Sequence, residues 1–99
     1  MSRFGDVIRK LRKEQALTLE AVARKTGTHK GYLSGIETGQ VNPPSVRFIR
    51  KLAKALGQDA RRLARLAWVD KAPEILRDDA EAFLRWCEER EARHDPPAG

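Results

Sequence analysis

The sequence predicts an all-α protein, five short helices followed by a longer C-terminal one. Three observations carry that prediction. Apolar residues recur every three or four positions in successive stretches. Capping side chains and glycines bracket most of those stretches. No run of four or more residues alternates with the β-branched support a strand needs.

Phe4, Val7, Ile8 and Leu11 place an amphipathic helix over residues 3–15. Thr18 caps a second, with Leu19, Val22 and Ala23 turned inward, and Gly27 stops it. A third runs from about Lys30 to Thr38 on Leu33 and Ile36, ended by Gly39. The next segment, Gln40-Val41-Asn42-Pro43-Pro44, is a loop, because consecutive prolines block a helix. Ser45 caps a fourth helix with the stripe Val46, Ile49, Leu52, Ala53 and Leu56, and Gly57 closes it. Asp59 caps a fifth, with Leu63, Leu66 and Ala67 inward. Pro73 suits the first turn of a long sixth helix reaching about His94, where Asp95-Pro96-Pro97 stops it. Its expected inner stripe is Ile75, Leu76, Ala80, Phe83, Trp86 and Cys87.

With 99 residues, 40% of them apolar, the chain suffices for one compact domain. Its net charge of +6 is unevenly spread. Residues 1–69 hold 15 basic and 5 acidic side chains, and residues 70–99 hold 5 basic and 9 acidic. A basic body over 1–69 suggests a polyanion as partner, and a separate element over 70–99 a different task. The tail's apolar face must be covered, by its own domain or by another subunit, and an appendage on a complete bundle favours dimerisation. No apolar run approaches the roughly 18 residues of a membrane span. The start, Met1 to Asp6, lacks the apolar stretch of a secretory signal, so a cytoplasmic protein is expected.

Enzyme chemistry finds no support. The two histidines, His29 and His94, lie in different segments without zinc-ligand spacing. Cys87, the single cysteine, reads as part of the tail's stripe, and no glycine-rich phosphate loop follows a strand. No metal or cofactor is expected.

The second and third helices meet across Lys25-Thr26-Gly27-Thr28-His29, too short for anything but a tight turn. Such a pair holds its second helix proud of the body, where it fits a DNA major groove. The stretch Thr18-Leu19-Glu20-Ala21-Val22-Ala23-Arg24-Lys25-Thr26-Gly27 comes first, then Gly31-Tyr32-Leu33-Ser34-Gly35-Ile36-Glu37-Thr38-Gly39, then Asn42-Pro43. Together they resemble the Cro/C1-type (XRE) helix-turn-helix, and the resemblance covers residues 4–67. It implies a five-helix, lambda-repressor-like domain binding double-stranded operator DNA, usually as a dimer on a palindrome. It also implies that Arg12 and Glu37 form a partly buried ion pair tying the first helix to the third. Leu19 departs from the pattern, standing where many members carry a phosphate-binding glutamine. His29 stands where serine or threonine often caps the third helix, so it is either a groove contact or a poor cap helped by Thr28 or water.

With Leu33 and Ile36 inward, Lys30, Gly31, Ser34 and Gly35 face outward near the leading end of the third helix. Lys30 suits guanine O6 or N7, and Ser34 several bases. Tyr32 either lies along the sugar-phosphate wall or packs partly into the core. Asn42 and Arg47 flank the start of the fourth helix, where phosphate is favoured. The candidate DNA-binding set is therefore Thr28, His29, Lys30, Gly31, Tyr32, Ser34, Gly35, Thr38, Asn42 and Arg47. The candidate dimer or partner interface is Ile75, Leu76, Phe83, Trp86 and Cys87. The sequence thus reads as a dimeric DNA-binding transcriptional regulator, a repressor by preference. The alternative is an antitoxin-like DNA-binding protein whose C-terminal helix binds a partner protein. A monomer binding structured RNA fits less well, because the deep, narrow groove of RNA excludes a helix.

Overall fold

Local chemistry decides where the helices begin and end. The computed structural model describes residues 2–94, which form α1 (Arg3–Glu14), α2 (Leu19–Thr26), α3 (Lys30–Thr38), α4 (Val46–Leu56), α5 (Ala60–Lys71) and α6 (Arg77–His94), with a 3-10 turn at Glu74–Leu76. Thr18 Oγ1 accepts from the Ala21 amide at 3.0 Å and Asp59 Oδ1 from Arg61 at 3.0 Å, satisfying donors that each helix start leaves open. Gly27, Gly39 and Gly57 end their helices at φ 75°, 79° and 66°, a left-handed conformation that costs glycine little. Ala16 reaches φ 55° without that freedom, in the turn after α1. Arg12 steadies this turn by donating from Nη1 to the Leu17 carbonyl at 2.9 Å.

Phe4, Ile8, Val22, Leu33, Ile36, Ile49, Leu52, Leu56, Leu63 and Leu66 are all buried in one cluster shared by the first five helices. Each such side chain contributes about 1.5–3 kcal/mol relative to exposure. α1 lies against α3 so closely that a Cβ on Gly5 would sit 2.2 Å from the Ile36 carbonyl oxygen, so only glycine fits there. Val46 departs from the expected inner stripe of α4, standing 56% exposed. It is the first residue of α4, with the Ser45 cap and the loop before it.

The C-terminal element corrects two expectations. Pro73 opens the short 3-10 turn, not the long helix, which begins four residues later at Arg77. α6 also folds back on α5 and buries Ala80, Leu84 and Cys87. Those three stand four and then three positions apart, a single helical face. Ile75, Leu76, Phe83 and Trp86, expected on the same stripe as Cys87, remain exposed. Phe83 precedes Leu84 and Trp86 precedes Cys87, and neighbouring positions on a helix point about 100° apart. Cys87, 3% exposed, faces its own domain and belongs to no outward interface. The expected stop at Asp95-Pro96-Pro97 lies outside the described residues.

Polar bonds join the two ends of this fold. Asp70, in the last turn of α5, accepts from Ser2 Oγ at 2.7 Å, from the Phe4 amide at 2.8 Å and from the Arg3 amide at 3.2 Å. The start of α1 is thus capped from the far end of the body. Arg3 pairs with Glu81 of α6 at 3.1 Å, and Arg65 of α5 pairs with Glu91.

Candidate nucleic-acid interface

The turn between α2 and α3 is held by its own backbone, because the Thr28 amide donates to the Ala23 carbonyl at 2.9 Å beyond left-handed Gly27. Thr26 is buried beneath it, its hydroxyl donating to the Val22 carbonyl at 2.8 Å. This turn leaves the leading end of α3 in solvent, with His29, Lys30 and Gly31 exposed and Thr28 and Ser34 half-buried. α3 has no acidic residue in its first turn, so the positive end of its dipole is unopposed from within the helix.

His29 resolves one alternative. It is the N-cap of α3, and its Nδ1 accepts from the Tyr32 amide at 3.3 Å, so the cap needs neither Thr28 nor water. A neutral ring that accepts at Nδ1 carries its proton on Nε2, which remains a donor. The ring also lies 3.3 Å from where a Cβ on Gly31 would stand.

Lys30 is not an isolated cation. Its Nζ lies 3.3 Å from Glu20 Oε1, across from the first turn of α2, with both side chains largely exposed. The Glu20 carboxyl is held below the usual carboxylate range, first by its own backbone amide at the helix start and then by Lys30. Glu20 was not singled out by sequence reasoning. Only the side-by-side starts of α2 and α3 bring it to this surface.

The remaining candidates divide. Gly35, expected to face outward, is buried: the loop after α3 folds over it, and a Cβ there would be 3.2 Å from Val41 Cγ1. Its carbonyl accepts from the amides of Gln40 and Val41 at 2.9 and 3.2 Å, which ties the loop to α3. Tyr32 is half-buried and packs against the core, edge-on to Phe48 with ring centres 5.5 Å apart, the partial core packing among its alternatives. Asn42 and Arg47 are exposed, on the loop and in the first turn of α4. Thr38 is exposed at the far end of α3, roughly 12 Å along the axis from Lys30. Its hydroxyl donates back to the Ser34 carbonyl at 3.0 Å.

Beneath this surface lies the pair of Arg12 and Glu37. Arg12 Nε donates to Glu37 Oε2 at 2.7 Å and Nη2 to Oε1 at 3.0 Å, a two-pronged contact between α1 and α3. The carboxylate raises the Arg12 pKa above its usual value, so the cation persists wherever the chain is folded. Further basic charge gathers on another flank, where Arg24, Lys25, Lys51 and Lys54 line a cleft of about 610 Å3 between α2 and α4. Among the described residues, no group of three or more His, Cys, Asp or Glu is placed to hold a metal ion. Nor is any described helix long and apolar enough to cross a membrane.

What this arrangement offers is a short helix whose exposed start carries His29, Lys30 and the positive end of its dipole, flanked by a polar loop and the cation of Arg47. That suits a polyanion whose groove admits a helix. Residues 3–66 match the family described as "Helix-turn-helix domain". The HTH-type transcriptional regulator SinR of Bacillus subtilis is 38% identical over 53 residues, covering 54% of this chain and 48% of SinR. The HTH-type transcriptional repressor RghR of the same species is 39% identical over 56 residues, covering 57% of this chain and 42% of its own length. RghRB, also from B. subtilis and described as an HTH-type transcriptional regulator, is 32% identical over 84 residues, covering 84% of this chain and 60% of RghRB. The chain thus spans about half the length of the first curated relatives it matches. No solved structure matches significantly.

Proposed function

The chain belongs to the Cro/C1-type (XRE) helix-turn-helix family, and from that membership we propose that it is a sequence-specific DNA-binding transcriptional regulator, acting as a dimeric repressor on an operator with two half-sites. The observation that carries this reading is the exposed start of α3, where His29, Lys30, Gly31 and Ser34 lie together above the buried Leu33 and Ile36. In the proposed mechanism α3 enters the major groove. Lys30 leaves Glu20 to donate to guanine, and Asn42 and Arg47 hold phosphate. Gly35 and Tyr32 support the surface from below, and Thr28 and Thr38 edge it. The bound dimer then blocks polymerase, and no catalysis is involved.

Selection of binding sites from random duplex DNA tests this reading. The full chain is expected to enrich two similar half-sites, with affinity falling steeply as salt rises. Arg47→Ala should weaken binding to all sequences alike, whereas Lys30→Ala should also relax the preferred sequence. Equal losses on selected and random DNA for Lys30→Ala would remove its reading role, and failure to enrich any motif would remove the operator reading.

A second reading shares the DNA-binding surface but gives the C-terminal region to a partner protein, as in an antitoxin. The exposed Phe83 and Trp86 favour it as far as they invite any protein surface. A stable homodimer that shields both rings would argue against it.

A further inference from the structure

Trp68, Phe83 and Trp86 are 52%, 46% and 51% exposed although α6 has already buried the face that carries Ala80, Leu84 and Cys87. They form one surface built from two helices. Trp68 meets Phe83 edge-on at 5.8 Å, Phe83 stacks on Trp86 at 6.0 Å, and the Arg90 guanidinium covers Trp86 at 4.7 Å. Leu76 and Val46, 49% and 56% exposed, extend the apolar character to either side. Large aromatic side chains bury about 150–250 Å2 each, so these half-exposed groups leave a patch of roughly 400 Å2. Rotating α6 would expose Leu84 and Cys87 in exchange, so α6 cannot cover this surface by turning.

We propose that the Trp68–Phe83–Trp86 surface pairs with the same surface on a second copy of the chain, an inference that rests on the dimer reading above and assigns it an interface. Shape supports a like partner. Trp68 and Phe83 form a ridge between two grooves, one of about 380 Å3 floored by Ala72, Pro73 and Leu76, the other of about 460 Å3 beside Val46 and Ala64. A ridge between grooves matches its own image under a two-fold rotation. The rim carries both signs, Lys71 and Asp79 on one groove and Arg61 on the other, while Arg65 is already paired with Glu91. A mixed rim suits its own image better than a strongly acidic or basic foreign surface. The area also fits, because a standard interface buries about 800 Å2 per partner and is roughly 60% apolar, most of which this patch supplies. Val46 directly precedes Arg47, so the pairing surface begins beside the proposed DNA face of each copy.

The chain's two tryptophans both lie in this patch, so it can be followed without mutation. Sedimentation of the full chain over a wide dilution series should show a dimer, with tryptophan emission moving to longer wavelength as it dissociates. Trp68→Ala and Phe83→Ala should each raise the dissociation constant by at least about thirtyfold, as truncating a central aromatic does. Helicity and melting temperature confirm that each variant is folded. Trp86→Ala serves as the second variant if Phe83→Ala unfolds. A dimer that persists unchanged in these variants, or whose dissociation leaves the emission unmoved, overturns this interface and leaves the dimer reading standing. A wild-type chain that stays monomeric throughout overturns both, while DNA binding is judged separately by site selection.

Discussion

Removing Arg12 tests how the recognition element is held. Its guanidinium and the Glu37 carboxylate are 13% and 6% exposed and joined by two hydrogen bonds, so neither has much water to fall back on. Arg12→Ala strands the carboxylate and also frees the Leu17 carbonyl that Arg12 holds beside left-handed Ala16. Breaking a buried pair from one side costs about 3–5 kcal/mol. Set against the roughly 5–15 kcal/mol of a domain this size, that is a large share. At about 4–8 °C per kcal/mol the melting temperature should fall by at least about 12 °C. Arg12→Met combined with Glu37→Leu should recover most of the loss, because an apolar pair leaves no charge behind. Thermal and urea unfolding of wild type, the single variant and the double variant measure all three quantities. Coincident melts for Arg12→Ala and wild type would refute the reasoning. So would lost DNA affinity in an Arg12→Ala protein whose stability is unchanged, which would make the arginine a DNA contact.

Two further perturbations probe other links. Gly5→Ala should destabilise by about 1–3 kcal/mol despite alanine's better helix propensity, because its Cβ would meet the backbone carbonyl oxygens of Ile36 and Glu37 at 2.2 and 2.8 Å; a gain in urea midpoint would show that α1 can shift freely from α3. Glu20, whose carboxyl is depressed in the folded chain, contributes stability present above the ordinary carboxylate pKa and lost as pH falls through its folded value. The gap in melting temperature between wild type and Glu20→Gln should therefore close on acidification, and a gap constant from neutral to acid pH would exclude the Lys30 pairing in solution.

What was legible in the chain was mostly what neighbours in sequence decide. Thr18, Ser45 and Asp59 cap, and Gly27, Gly39 and Gly57 stop, through bonds reaching only a few residues, so their meaning is written locally. Gly35 was misread because its burial depends on Val41 folding over α3 from a loop whose path no periodicity encodes. The phase of α6 was misread for a related reason. Phe83 and Trp86 outweigh Leu84 in apolarity, yet α5 receives the small and medium side chains Ala80, Leu84 and Cys87. Of the candidate surface, Lys30 and Arg47 were readable from helix geometry, whereas Glu20 became visible only when the starts of two helices were placed side by side. Asp70 gave no signal at all, its partners lying more than sixty positions away.

The clasp at Asp70 also imposes an order in time. Ser2, Arg3 and Phe4 leave the ribosome well ahead of the carboxylate that receives them, which follows 66–68 residues later. At translation rates of about 5–20 residues per second, that delay is roughly 3–14 s. During it Phe4 and Ile8 have no finished core to enter, and although α3 can hold the body of the first helix through Arg12 and Glu37, its start is secured only when α5 arrives. A nascent chain of this protein therefore waits with its first apolar face open, a natural place for a chaperone to hold it until the ring of contacts closes.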